Sequence, residues 1–261
     1  MKVNLDRVIK DIKTLATFNA TPGNGVTRLA FTDEDKLARN YIKDILHSLD
    51  LRVWEDGYST LFGRREGKDP KAPVLIIGSH YDSVINGGHL DGVLGVVAAL
   101  EIMRIFKEHN VRHHIPIEIA AMNNEEGVRF GRAISNSRAM AGLMGEDELD
   151  YCQDQAGITL RKAMEDFGIT PDLKNAKRAP GSIGAYLELH IEQGPVLEAA
   201  GVDIGLVETI VGHDDHEVIF QGKSGHAGTT PMDKRQDALV AASLFTLALS
   251  RAAKEAGHGT V

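Results

Sequence analysis

The sequence predicts an α/β protein: a central, mostly parallel sheet with flanking helices, followed by the start of a smaller α+β domain. Three observations carry this. APVLIIGS (72–79) and IPIEIAAM (115–122) are apolar runs of strand length without alternation, as expected of strands covered on both faces. Between them, VLGVVAALEIMRIFKEH has helical periodicity, so strand, helix and strand follow one another as a parallel layered sheet requires. From about residue 207 the texture changes: HEVIFQG alternates like a half-exposed antiparallel strand, and a loop and a long helix follow.

The remaining elements fall into order around these. Leu5, Val8, Ile9, Ile12 and Leu15 put an amphipathic helix over 4–18. TPGNGVTRLAF is rich in turn residues and reads as a loop. Thr32 is an N-cap for a helix over about 33–49, with Leu37, Tyr41, Ile42, Ile45, Leu46 and Leu49 as its apolar stripe. LRVW and STLFGRR read as strands joined through a turn at Asp56-Gly57, residues 130–180 as mostly helical and polar, and AYLELH as a further strand. DKRQDALVAASLFTLALSRAAKEAG is a long helix. The expected division is a metal-binding catalytic domain over 1–207 and the first part of a second domain over 208–261.

Composition bounds the function. With 43% hydrophobic and 25% charged residues the chain can build an ordinary soluble core. A formal charge of −8 and the lack of a Lys/Arg-rich block exclude a nucleic-acid surface. The single cysteine, Cys152, forms no intrachain disulfide, which fits a reducing compartment. The first residues, MKVNLDRVIKDIKTLATF, contain no apolar signal core, and no run approaches the roughly 18 apolar residues of a membrane span. A cytoplasmic protein is expected, with neither nucleic-acid nor membrane partners.

The chemistry concentrates where three strands end, which is where open α/β sheets bind ligands. The first strand runs into GSHYDSVINGGHLDG, with His80, Asp82 and Asp91. The second runs into Asn123-Asn124-Glu125-Glu126, and the third ends at His190, followed by Glu192, Gln193 and Gly194. Singly, each motif reads as a surface hydrogen-bonded pair, a solvated helix start or a half-buried histidine; their convergence on one sheet edge points to a metal. Two imidazoles with Asp and Glu suit zinc or a similar divalent ion. Four side chains on one ion would close the site, whereas Asp91 shared between two ions would leave positions open for water. Asp82 is placed to accept the other ring N–H of His80. Glu125, beside Glu126, is then a free carboxylate suited to general-base work. His213-Asp214-Asp215-His216 opens a predicted strand, whose side chains alternate between faces, and reads as a polar loop. His226, in SGHAGTTP, reads by itself as a loop hydrogen-bonding residue.

GSHYDSVINGGHLDG, NNEEGVRFG, LELHIEQGPVLE and GHAGTTPMDKRQDA, in this order, resemble the dinuclear-zinc amidohydrolases of the aminoacylase-like metallopeptidase family. HIEQGP with HAGTTPM, and GVTRLAF near residue 25, resemble the branch of N-carbamoyl-L-amino-acid hydrolases, allantoate amidohydrolases and β-ureidopropionases. The resemblance implies a zinc-exopeptidase-like fold, a small ureido or carbamoyl acid as substrate, and two divalent ions, zinc with manganese or cobalt as substitutes. It implies His80 and His190 on one ion, Asp91 as bridge, Glu126 on the second ion, and Glu125 as base. It implies that His226 stabilises the oxyanion, that Gln193 lines the substrate pocket, and that the Asp91–Gly92 peptide is cis. A lid domain that closes over the substrate and mediates a homodimer is also implied. GHGTV stops where the family's next strand begins, so an incomplete second metal site and an impaired enzyme are expected. The leading expectation is a metal-dependent hydrolase of the carbamoyl C–N amide bond of N-carbamoyl-L-amino acids. The alternatives are an allantoate amidohydrolase and a non-catalytic metal-binding remnant.

Overall fold

The computed structural model describes residues 1–210, 212 and 216–257; His213, Asp214 and Asp215 of the polar-loop reading lie outside that description. Two compact units are present, Met1–Gln193 and Gly194–Val261.

In the first unit, α1 (Leu5–Thr17) and α2 (Asp33–Ser48) precede the hairpin β1 (Arg52–Glu55) and β2 (Leu61–Arg65). Next come β3 (Val74–His80), α3 (Val93–Glu108) and β4 (Ile117–Met122). Four short helices follow: α4 (Ser135–Ala141), α5 (Glu148–Tyr151), α6 (Leu160–Phe167) and α7 (Leu173–Ala176). β5 (Ile183–Leu187) completes the sheet. The strand order is β1-β2-β4-β3-β5. β3 pairs in parallel with β4 and β5, whereas β2 is antiparallel to β1 and β4, so β2 alone runs against the other strands.

Period-two alternation in β4 divides the core. Ile117, Ile119 and Ala121 pack with Val8, Ile12 and Leu15 of α1, Ile42 and Leu46 of α2, and Val96, Val97 and Leu100 of α3. Ala120 and Met122 face the other way, onto Phe62, Ile76 and Met140. Glu118, on that second face, is buried and held by Arg64 (3.0 Å) and Arg178 (2.8 Å), which together offset the cost of desolvating it. The helices α4–α7 are less polar than the sequence suggests. Phe31, Tyr58, Phe130, Leu149, Cys152 and Leu160 close a separate core beneath them.

Two sequence expectations shift. β5 ends at Leu187, so His190 stands beyond the strand and not at its last position. In the second unit the strand expected in HEVIFQG does not form over 217–221; the ladder there is a single bridge, Lys223↔Gln236. That unit contains α8 (Val196–Ala200), a 3-10 turn at Met232–Lys234 and α9 (Ala238–Ala256). No helix among the described residues is long and apolar enough to cross a membrane.

Candidate metal centre

β3 is an interior strand, with β4 on one side and β5 on the other, and His80 lies level with Met122 at the carboxyl ends. The chain leaving β3 and the chain leaving β4 therefore meet. Tyr81 N–H still bonds to the Met122 carbonyl (2.9 Å). The buried Asp82 carboxylate then accepts from Glu125 N–H (3.0 Å) and Glu126 N–H (3.1 Å), splinting one loop to the other. The nearest acceptor to His80 Nδ1 is the Asp82 backbone carbonyl at 3.1 Å, with the carboxylate at 3.6 Å. The sequence reading gave that place to the carboxylate; the backbone carbonyl takes it instead, and the carboxylate accepts from the two backbone N–H groups. With Nδ1 so occupied, Nε2 of His80 points toward Asp91 Oδ1 (3.8 Å) and Glu125 Oε2 (3.9 Å).

Gly92 allows this approach. Its φ of 61° lies in the left-handed region, and a Cβ there would fall 2.4 Å from His80 Nε2. The Asp91–Gly92 peptide is trans, against the expectation; the positive φ of Gly92 makes the turn into α3 instead.

His190 arrives from the other side of β3. Its Nδ1 faces the Ile191 carbonyl (2.8 Å), its Nε2 lies 3.2 Å from Asp91 Oδ1, and its ring stacks near His80 with centroids 5.7 Å apart. Gln193 Nε2 donates to Asp91 Oδ2 at 2.8 Å. Asp91 Oδ1 is left buried with no hydrogen-bond donor, between two imidazole nitrogens. An orphaned carboxylate oxygen facing two such nitrogens is what a divalent cation would satisfy. Among the described residues, two groups of side chains have ligand atoms within 4.8 Å of one another: His80, Asp91 and His190, and His80, Glu125 and Glu126.

The electrostatics fit a cation site. Burial pushes Glu126 up to about 6; His80 opposes this, and Asp91, Glu125 and Asp82 add to it. Burial likewise raises Glu125. On His80 burial disfavours the charge, but Asp82, Glu125 and Glu126 outweigh it and hold the imidazolium up to about 9. Beside the centre lies a cavity of about 580 Å³, walled by Met122, Met140, Ile183 and Tyr186, with Ser79 and Glu188.

Sequence reasoning passed over Asn123 and Asn124. Both are buried, and they set the turn into Glu125-Glu126. Asn123 bridges Asp35 (3.1 Å) and Ser59 (3.2 Å), and Ser59 in turn receives Arg39 (3.0 Å). Asn124 adopts φ 56° and donates to the Tyr58 hydroxyl (2.9 Å). An Asn pair between an apolar strand and two carboxylates was the available signal, since Asn is among the few residues that tolerate the left-handed region.

In the second unit His226 Nδ1 accepts from Gly228 N–H (3.1 Å) and Thr229 N–H (3.2 Å). That fixes the tautomer with the proton on Nε2, leaving an outward N–H donor.

Residues 76–261 match the peptidase family M20/M25/M40. The chain belongs to that family. Among M20 relatives, it is 44% identical over 261 residues to an N-carbamoyl-L-amino-acid amidohydrolase of Paenarthrobacter aurescens, covering all of this chain and 63% of that protein. It is 36% identical over 244 residues to an allantoate amidohydrolase of Bacillus subtilis, covering 93% of this chain and 59% of that one. The crystal structure of a hydantoinase/carbamoylase family amidase from Burkholderia ambifaria superposes with a TM-score of 0.81 at 35% identity, over 97% of this chain and 62% of that one. The α/β architecture is thus that of solved M20 carbamoylase-type structures, and the chain spans about three fifths of the length of the curated relatives it matches.

Proposed function

We propose that this chain carries the metal-binding half of an amidohydrolase that cleaves the carbamoyl C–N amide bond of N-carbamoyl-L-amino acids. The observation that carries the reading is Asp91 Oδ1, buried, without a donor, and facing His80 and His190. His80, Asp91 and His190 would hold one divalent ion, and Glu126, with Asp91 as bridge, would contribute to a second. A bound zinc, manganese or cobalt ion supplies a Lewis acid that polarises the carbonyl and acidifies water.

The chain's own residues do the rest. Glu125 takes a proton from the attacking water at its carboxylate and returns it to the departing nitrogen; its burial, which strengthens its hold on a proton, suits that task. Asp82 keeps Glu125 and Glu126 in register through their backbone N–H groups. Gln193 orients Asp91 and presents its remaining polar atoms to substrate. His226, of this chain or of a partner copy, would donate from Nε2 to the developing oxyanion, a role its fixed tautomer supports. The proposal includes 1–207 as catalytic domain and 208–261 as the opening of a lid through which a homodimer forms, in the cytoplasm.

The test is a panel of N-carbamoyl-L-amino acids and allantoate, assayed on the full-length gene product with added zinc, manganese or cobalt. Release of free amino acid from the carbamoyl compounds is expected. Turnover of allantoate alone would move the assignment to the second activity found among the relatives. Metal binding with no hydrolysis of either class would overturn it.

A further inference from the structure

Arg28 is the largest fully buried side chain, at 1% exposure, and sits in the turn-rich loop before α2. Taking a guanidinium out of water costs several kcal/mol even after relaxation. Three carbonyls offset that cost. Nη1 donates to Leu15 (2.7 Å) and Phe18 (3.2 Å) at the carboxyl end of α1, where the helix dipole favours a cation. Nε donates to the Tyr81 carbonyl at 2.6 Å.

That last bond falls where β3 runs out of partners. The peptide before Tyr81 is fixed by the Met122 carbonyl on β4. The next peptide, joining Tyr81 to Asp82, has no strand to pair with, and its oxygen is the one Arg28 holds. The backbone around Arg28 is built to deliver the guanidinium there. Arg28 N–H donates to Ser83 Oγ (2.9 Å), Ser83 N–H to the Arg28 carbonyl (3.0 Å), and Val26 and Gly87 exchange both backbone bonds. Asn86 N–H donates to Thr27 Oγ1 (2.8 Å). Gly25, at φ 75°, passes so close that a Cβ would lie 2.5 Å from the Asn86 carbonyl.

We propose that Arg28 is a positioning residue of the metal centre: it caps the end of the β3 ladder at Tyr81 and so fixes the peptide between His80 and Asp82. The inference rests on reading that site as a metal centre. The test compares Arg28→Met, which removes the donors at similar length, Arg28→Lys, which keeps one, and Leu160→Ala, a truncation in the separate core beneath α4–α7, where no acceptor of Arg28 lies. Two readouts are taken on each: zinc affinity by competition with a chromophoric chelator, and hydrogen exchange of residues 79–84 in metal-free protein.

Loss of such a supporting partner weakens metal binding by roughly 10–100-fold. Arg28→Met is expected to show that loss, and to speed exchange at 79–84 but not at 74–78. Arg28→Lys recovers part of both. Leu160→Ala lowers the melting temperature and leaves zinc affinity within about threefold, below that range. The proposal is overturned if Arg28→Met leaves exchange at 79–84 unchanged, or if Leu160→Ala reproduces its effects. Should wild-type protein bind no zinc, the metal reading fails by itself and the exchange measurement decides Arg28 alone. Should Arg28→Met not fold, Arg28→Lys against wild type decides by the same readouts.

Discussion

α3 and α9 are alike in sequence pattern and differ in what surrounds them. Each follows a loop bearing histidine and aspartate, and each is apolar along most of its length. α3 buries nine residues, Val96, Val97 and Leu100 among them, against the sheet and two helices. α9 buries none, and Leu239, Val240, Leu244 and Leu247 are exposed. Apolar periodicity makes a helix fit for burial without supplying the surface that buries it.

The helix starts differ in the same way. Asp237 caps α9, accepting from Leu239 N–H (2.9 Å) and Val240 N–H (3.3 Å). At α3 the N-cap is Gly92, with no side-chain cap. The neighbouring Asp91 turns its carboxylate to His80, His190 and Gln193 instead. One aspartate secures a helix; the other gives up that role and is left free to coordinate, still near the positive end of the helix dipole.

The sharpest way to break this contrast is at the α3 end. In the full-length gene product, Glu125→Gln should cut carbamoyl hydrolysis by roughly 10²–10⁴-fold while bound metal per chain stays constant. Glu126→Gln and Asp91→Asn should lower metal content as well, read by elemental analysis. If Glu125→Gln kept half the wild-type rate, the base would lie elsewhere.

Next come the helix bodies. Leu100→Ala, at a fully buried position, should cost about 2–5 kcal/mol in denaturant unfolding. Leu244→Ala, at 64% exposure, should change stability by no more than about 0.5 kcal/mol. Equal costs would show that α9 is as well packed as α3.

A third aspartate sharpens the comparison through pH. Asp56 Oδ1 caps the β1–β2 turn, accepting from Tyr58 N–H (3.0 Å) and Thr60 N–H (2.8 Å), while Oδ2 is buried without a partner. Burial pushes its carboxyl up to about 6, with those hydrogen bonds opposing. Because the folded value lies above the unfolded one, the contribution is fully present below about pH 4 and is lost as pH rises toward 6. Asp56→Asn should therefore gain on wild type across that window, by on the order of 3 kcal/mol at most. A difference independent of pH between 4 and 7 would contradict it.

The smallest effect belongs to the cap. Asp237→Ala should destabilise α9 by about 1 kcal/mol by circular dichroism, with metal affinity unchanged. Asp91→Ala should do the reverse, costing the helix little and the metal much.

The sequence by itself determined the elements whose pattern is local. β3, α3 and β4 follow from two apolar runs around a helical repeat, and β3 and β4 deliver His80 and Glu125-Glu126 to one edge. The sequence marked Asp91 as a ligand ahead of the helix, but the cis peptide expected at Asp91–Gly92 is trans, and the positive φ of Gly92 makes the turn. Tertiary structure decided the polar interior. Arg28, Asp35, Arg39 and Asn123 have the composition of surface residues, and only packing shows them buried behind the centre. It also decided which acceptor His80 meets, that His190 stands past the end of β5, and that HEVIFQG forms no strand over 217–221. The reason is the same in each case. Periodicity records which side of an element is apolar, whereas a hydrogen-bond partner, a ladder or a buried charge depends on what a distant part of the chain brings beside it.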